Sequence, residues 1–330
     1  MKICLYGAGA IGGLLGVRLA QKGAEVSVIE VGPVLEAIQK NGLQVEETDG
    51  KRISAKVTAT SDPASLGHQD VVIVAVKGPT LKFICSKVAA LVGPNTIVMT
   101  AMNGVPWWFF HGFGDKLAGS QLTSIDPDGS INAGIPGDRV IGCVINLSCA
   151  LLGAGIVKHV AGNALTIGEP NGTTSKRVQD WGKQLTEAGF DVTVTNSIQK
   201  DIWFKLMGNM THNPMSALTG ATMDRLLNDP LTYDFCVKIM REAVEVGDKF
   251  GCKPADSPEE RQEHSRKLGP FKTSMLQDVE AKKAIELDAM CGAVSEIGAK
   301  VGVPTPYTDI LLGLTRVKGQ VMGIYPETKK

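Results

Sequence analysis

"MKICLYGAGAIGGLLGVRLAQKGAEVSVIE", residues 1–30, decides the fold. A short apolar run, "KICLYG", breaks at glycine, resumes as a helical pattern from Gly12 to Lys22, and returns to a second apolar run, "EVSVIE". Strand, turn, helix and strand in that order make a βαβ unit, whose two strands lie parallel. Gly7, Gly9 and Gly12 stand as G-x-G-x-x-G where the strand becomes the helix. The first glycine permits the tight turn, the second lets a pyrophosphate approach the backbone, and the third lets the helix lie close on the strand. The amides opening the helix, at Ala10 and Ile11, then face the phosphates. Glu30 closes the second strand 18 residues past Gly12. That is near the spacing at which an acid accepts a hydrogen bond from the ribose 2′-hydroxyl of NAD. The bland alternative is a plain glycine-rich turn between strand and helix.

The same rhythm continues through "DVVIVAV", a helical window over 81–91, and "TIVMTA". Short β-branched runs between helices predict a parallel sheet covered on both faces. Lys77 in "VAVKG" and Asn103 in "TAMNG" follow two of these strands at their carboxyl ends, the edge where open α/β sheets bind ligands. From Trp107 to Gly172 many glycines and prolines separate short pieces such as "RVIGCVINLSCA" and "ALTIGE", which predict antiparallel strands appended to the sheet. A helix in "TSKRVQDWGKQLTEAG" and a strand in "FDVTVT" follow, and beyond them the pattern is helical throughout. The expected architecture is α/β: a Rossmann-type doubly wound sheet with appended antiparallel strands over 1–198, and an all-α substrate and catalytic domain over 199–330.

Bulk composition excludes several classes of function. The 330 residues carry 34 basic and 34 acidic side chains, so no net charge draws in a polyanion, and nucleic acid is not an expected partner. There is no secretory h-region and no apolar run long enough to span a bilayer, so a cytoplasmic protein without membrane attachment is expected. The seven cysteines are scattered through apolar segments without a C-x-x-C pair, which predicts reduced thiols and no metal site.

The segment "DIWFKLMGNMTHNPMSALTG", residues 201–220, is apolar except for a stripe. Lys205, Asn209 and Asn213 recur at steps of four, and on a helix such positions fall within an arc of about 80°. A solvated face would account for the stripe, but asparagine is a mediocre helix former and surface stripes favour Glu, Lys and Arg. Pro214 cannot donate to the carbonyl four residues back, so the helix is expected to bend or end beside Asn213. Further on, Ser274 reads as a cap or surface hydroxyl, and Glu286 as an acid opening the helical pattern "IELDAMCGAVSEIGAKVG", whose small-residue face could support a homodimer.

Taken in order, the terminal G-x-G-x-x-G, the "VK" and "NG" strand ends, "WFKLMGNMTHNPMSALTG", "TSMLQD" and the acid of "IELD" resemble the ketopantoate reductase (2-dehydropantoate 2-reductase) family over nearly the whole chain. The resemblance implies reduction of a branched 2-oxo acid to the (R)-2-hydroxy acid, with 2-dehydropantoate in pantothenate biosynthesis the first candidate. It implies that Lys205 is the general acid and that Glu286 binds substrate and supports catalysis. Asn103, Asn209, Asn213 and Ser274 would hold substrate or nicotinamide, and Lys77 would lie on the cofactor side. A broken helix before Glu286 is also implied, whereas propensity alone runs a helix through from Ser274.

The chain departs from the family pattern at three places. "IEVGP" offers Glu30 and Val31 where a basic residue commonly holds the 2′-phosphate of NADP. The family therefore implies NADP(H), while Glu30 favours NAD(H). Lys282 and Lys283 replace an arginine before the catalytic acid, and Met223 stands where a further asparagine is expected. Two alternatives stay open: a D-2-hydroxyacid dehydrogenase acting on another branched 2-oxo acid, and a non-catalytic nucleotide-sensing protein. A sensor would have no use for a proton donor at Lys205.

Overall fold

A computed structural model describes residues 1–267 and 269–327. Two compact units emerge: Met1–Met102, Trp108–Phe113 and Asp128–Ile198 form the first, and Asn103–Trp107, Gly114–Pro127 and Gln199–Lys330 the second. Leu268 and residues 328–330, within the expected all-α domain, lie outside the described residues.

In the first unit, the apolar runs form β1 (Lys2–Tyr6), β2 (Glu25–Ile29), β3 (Leu43–Glu46), β4 (Arg52–Ala55), β5 (Thr58–Thr60), β6 (Gln69–Val74), β7 (Val92–Thr100), β8 (Val140–Gly153), β9 (Ile156–Gly168) and β10 (Asp191–Thr195). Its helices are α1 (Ala10–Gln21), α2 (Gly32–Asn41), α3 (Gly78–Ala89), α4 (Ser130–Gly134) and α5 (Lys176–Glu187). Among the described residues these strands make one ten-stranded sheet, ordered β4-β3-β9-β8-β7-β6-β1-β2-β5, with β10 also pairing with β9. The neighbours β7, β6, β1, β2 and β5 all run parallel, and β6, β1 and β2 have the apolar, buried runs that a sheet covered on both faces requires. The core between sheet and helices includes Ile3, Leu5, Leu14, Val28, Val71, Ile73, Met99, Ile141 and Trp181.

The expected antiparallel extension is present in the long β8–β9 pairing, but the extension is not purely antiparallel. β8 joins β7 in parallel, and β9 is flanked in parallel by β3 and β10. β3, β4 and β5, which the sequence pattern does not announce, are three or four residues each. A charged cluster ties β3 into place: Arg18 grips the Glu47 carboxylate with two nitrogens at 2.9 and 2.7 Å, and His159 reaches the same carboxylate at 2.9 Å. The hydrogen bonds from Arg18, opposed by partial burial, hold the Glu47 carboxyl below the usual carboxylate range.

The second unit is helical: α6 (Ile198–Thr219), α7 (Met223–Asn228), α8 (Pro230–Asp248), α9 (Pro258–Arg266), α10 (Ser274–Glu280), α11 (Ala293–Val301) and α12 (Pro306–Val321), with a π-helical turn over Asp288–Gly292. Two loops from earlier in the chain, Asn103–Trp107 and Gly114–Pro127, fold with it. The reason is local bonding: the Glu296 carboxylate accepts the N–H groups of Thr123 and Ser124, and Ala289 O accepts the N–H of Val105.

A correction concerns α6, which does not end beside Asn213 but continues through Pro214 to Thr219. The carbonyl that Pro214 cannot serve, that of Met210, accepts instead from the Cys291 thiol at 3.1 Å. Trp203, Leu206, Met207 and Met210 are buried along the helix, and each such side chain contributes about 1.5–3 kcal/mol. That burial outweighs the local proline defect. Of the small residues on the face expected to support a dimer, Ala293 and Gly298 are buried inside this unit, Ala289, Gly292 and Ser295 are half-buried, and Ala299 is exposed. No helix among the described residues is long and apolar enough to cross a membrane.

Candidate active site

In the first unit the glycine turn has the shape the spacing predicts. Gly7 has φ +96°, a region where an L side chain is strained, and a Cβ on Gly12 would stand 2.1 Å from Gly7 O. A side chain at Gly12 would push α1 off the turn after β1, and one at Gly7 would meet Ala75 and Val76 just past β6. At Gly9, by contrast, a Cβ would meet nothing within 4 Å, so the space before the helix is open. Gly9 is the N-cap of α1, no side chain caps that end, and no acid lies in the first turn. Free amides, a positive dipole end and open space suit a pyrophosphate, so the residues present fit a dinucleotide.

Glu30 follows β2 and is half-buried, and its Oε1 accepts the N–H of Ala8, inside the glycine loop, at 2.6 Å. The acid and the phosphate loop are thus braced together. Sequence spacing placed Glu30 near a ribose but not on the loop backbone, because that contact depends on β1 and β2 being neighbours. Val31 beside it is exposed. Lys77 is half-buried at the N-cap of α3, just past β6, and β6 lies directly beside β1.

In the second unit α6 carries the stripe. Lys205 Nζ donates to Asn103 Oδ1 at 2.9 Å, joining the helix to the turn that follows β7. Asn209 is half-buried one turn on, and Asn213 is 95 % removed from solvent, with 5 % exposure. Asn213 Nδ2 lies 3.5 Å from Ser274 Oγ and 3.8 Å from Met290 Sδ. Ser274 is exposed and opens α10, while Thr273 before it supplies the cap by accepting from Leu276 N–H. Glu286 is half-buried in the non-helical stretch between α10 and the π-helical turn, so a break precedes the acid and the uninterrupted helix that propensity favours does not form. Lys282 in that stretch has φ +52°, a left-handed conformation that ends α10.

Two residues that local sequence pattern does not single out, Gly104 and Cys291, shape this half, and His212 beside Asn213 is structural, as a position turned about 100° from the stripe should be. Gly104 has φ +82°, and a Cβ there would fall 2.5 Å from Ala289 O, so the turn bearing Asn103 can approach the π-helical turn only as glycine. Cys291 bonds the Met210 carbonyl. His212 is buried against Gln262, with Nε2 2.5 Å from Oε1, and burial pushes its pKa down to about 4, so at neutral pH it is an uncharged packing group. Only the vacancy Pro214 leaves in the helix could have hinted at Cys291.

A phosphate-ready glycine loop braced by an acid in one unit, and an ammonium set on a carboxamide in the other, define a Rossmann-type oxidoreductase that uses a nicotinamide dinucleotide. The chain belongs to the ketopantoate reductase family: residues 3–172 match the model described as ketopantoate reductase PanE/ApbA, and residues 197–319 match its C-terminal companion. It is 40 % identical over 326 residues to the 2-dehydropantoate 2-reductase of Mesorhizobium japonicum, covering 98 % of this chain and all of that one. A solved structure from Ralstonia solanacearum MolK2, provisionally named a ketopantoate reductase, superposes with TM-score 0.93 at 48 % identity, covering 98 % of this chain and 99 % of the other. The ternary structure of D-mandelate dehydrogenase with NADH and anilino(oxo)acetate shares the fold, with TM-score 0.84 at 23 % identity and coverage of 98 % and 100 %.

Proposed function

We propose that the chain reduces the ketone of a branched 2-oxo acid to the (R)-2-hydroxy acid, with 2-dehydropantoate the first candidate and pantothenate biosynthesis the setting. The observation that carries this is the Lys205–Asn103 hydrogen bond of 2.9 Å, which gives a half-buried ammonium a fixed direction. The reduced nicotinamide, when bound, supplies hydride. As the ketone oxygen gains charge, Lys205 stabilises it and gives it a proton, a role for which a group of reference pKa ~10.4 is charged at neutral pH. The carboxamides of Asn209 and Asn213 and the Ser274 hydroxyl can bond the substrate's carboxylate and hydroxyl oxygens without adding charge, and Glu286 can accept from a substrate hydroxyl. The first unit would hold the dinucleotide, through the Gly7–Gly9–Gly12 turn, the amides of Ala10 and Ile11 that open α1, and Glu30 and Lys77, and the second would hold substrate.

For the cofactor we favour NADH. A carboxylate held on the phosphate loop by Ala8 N–H is well placed to accept from a ribose hydroxyl and opposes a 2′-phosphate, and Val31 adds no positive charge. A second reading, a D-2-hydroxyacid dehydrogenase for another branched 2-oxo acid, is favoured by Met223, which is wholly buried at the start of α7 and offers no amide to substrate. For self-association the surface to test is α12, where Ile310, Leu314, Val317 and Val321 form an exposed apolar stripe at helical spacing.

The test is loss of nicotinamide absorbance with 2-dehydropantoate, 2-oxoisovalerate or no oxo acid, using each cofactor. Lys205→Ala should lower kcat about 10²–10⁴-fold while leaving nucleotide affinity nearly unchanged. Near-normal turnover in that variant, or no turnover of any 2-oxo acid by the unmodified enzyme, would overturn the proposal.

A further inference from the structure

α6 carries Lys205, Asn209 and Asn213 on one stripe, and Pro214 comes directly after the last of them. Proline has no N–H, so the carbonyl four residues earlier, Met210 O, lies between Asn209 and Asn213 without its helical donor. The Cys291 thiol donates to that oxygen at 3.1 Å. Cys291 is fully buried, and burial drives its pKa far above the ordinary thiol range, so the sulfur keeps its proton and remains a donor.

The turn that holds Cys291 makes further contacts with the same machinery. Ala289 O accepts the Val105 N–H at 2.7 Å, two residues past Asn103. Met290 Sδ stands 3.8 Å from the Asn213 carboxamide, and Asp288 Oδ1 accepts from the Tyr325 hydroxyl at 2.5 Å. Glu286 enters this turn from two residues upstream. A π-helical turn widens the backbone by one residue, and such turns recur at functional sites.

We propose that Cys291 is a positioning residue for catalysis: its thiol replaces the donor that Pro214 lacks, and so keeps Asn213 in helical register with Lys205 and Asn209. The proposal rests on the assignment of those three side chains to the reaction. Without the cap, α6 opens at Met210 and Asn213 rotates away from the stripe. The relation between residues 214 and 291 is one of substitution, since a backbone N–H at 214 makes the thiol unnecessary.

The experiment compares the unmodified enzyme with Cys291→Ala, Cys291→Ser and the double variant Pro214→Ala/Cys291→Ala. Amide hydrogen exchange is followed in the peptide spanning Thr211 to Thr219, alongside kcat and KM for 2-dehydropantoate and the nucleotide Kd. An unmet buried acceptor is a large enough defect to predict, for Cys291→Ala, about tenfold faster exchange and about tenfold lower kcat/KM, with nucleotide Kd unchanged. Cys291→Ser, which keeps a donor, should stay within about threefold of the unmodified enzyme, and the double variant should recover to a similar level through its new helical hydrogen bond. A double variant no better than Cys291→Ala overturns the proposal, because packing alone would then explain the loss. Unmodified kinetics in Cys291→Ala overturns it too, whatever the exchange shows. If Cys291→Ala does not fold, recovery of a folded, active double variant supports the proposal and failure of the double variant overturns it. Should the unmodified enzyme reduce no 2-oxo acid, the functional reading fails, and the exchange rates alone still judge whether the thiol caps the helix.

Discussion

Glu30→Gln separates the charge at the cofactor loop from the hydrogen bond that holds the side chain there. Glu30 Oε1 accepts the Ala8 N–H at 2.6 Å, and a glutamine carbonyl oxygen can accept the same bond. What disappears is one negative charge. For a half-buried group the effective dielectric lies between about 20 and 80, so a charge pair about 5 Å apart interacts by about 0.8–3.3 kcal/mol. A 2′-phosphate carries more than one charge and ions screen part of it, which leaves roughly 1.4–2.8 kcal/mol, or about 10- to 100-fold, as the effect on NADPH. Steady-state rates at saturating 2-oxo acid should therefore show kcat/KM for NADPH rising by that factor, with NADH changing less than about threefold. Glu30→Ala removes the acceptor as well, leaves a loop N–H unmet, and should weaken both cofactors. Adding Val31→Arg at this exposed position should raise NADPH use further by supplying a phosphate partner. An unmodified enzyme that already prefers NADPH tenfold, or an unaltered cofactor ratio in Glu30→Gln, would refute the reasoning.

Gly104→Ala should cost about 2 kcal/mol in urea unfolding, since it combines a left-handed backbone with a Cβ 2.5 Å from Ala289 O. It should also lower kcat by displacing Asn103 from Lys205, and unchanged kinetics would detach that turn from catalysis. His212 gives a pH dependence of stability. Its folded pKa of about 4 lies below the unfolded value of 6.5, so the unfolded chain binds the extra proton first. Stability is fully present above pH 6.5 and is lost as pH falls towards 4, by roughly 1.5 kcal/mol between pH 6.5 and 5. Urea midpoints across that interval should fall for the unmodified enzyme and stay flatter for His212→Asn. On α12, Leu314→Glu should shift any homodimer to monomer in light scattering, and an unaltered mass would clear the stripe of that role.

Local pattern carried much of this protein. The alternation of apolar runs with helical windows sufficed for the parallel sheet, because a strand buried on both faces has no freedom to be polar. Gly7, Gly9 and Gly12 were legible for the same kind of reason: a tight turn and a close helix restrict the residue type at each position on its own. The stripe on α6 followed from helical period alone. By contrast β3, β4 and β5 were too short to stand out, and β3 is held where Arg18 of α1, Glu47 and His159 of β9 meet from distant parts of the chain.

The amino-acid order by itself determined the glycine-marked strand–turn–helix of β1 and α1 and the Lys205–Asn209–Asn213 stripe of α6. Tertiary structure decided which of those groups touch: Ala8 with Glu30, and Lys205 with Asn103. It also decided that α6 survives Pro214, because the donor that rescues Met210 O sits 81 residues away at Cys291. Propensity and period act over a few residues, whereas a buried acceptor takes whichever donor the packed fold brings within about 3 Å, regardless of its distance along the chain.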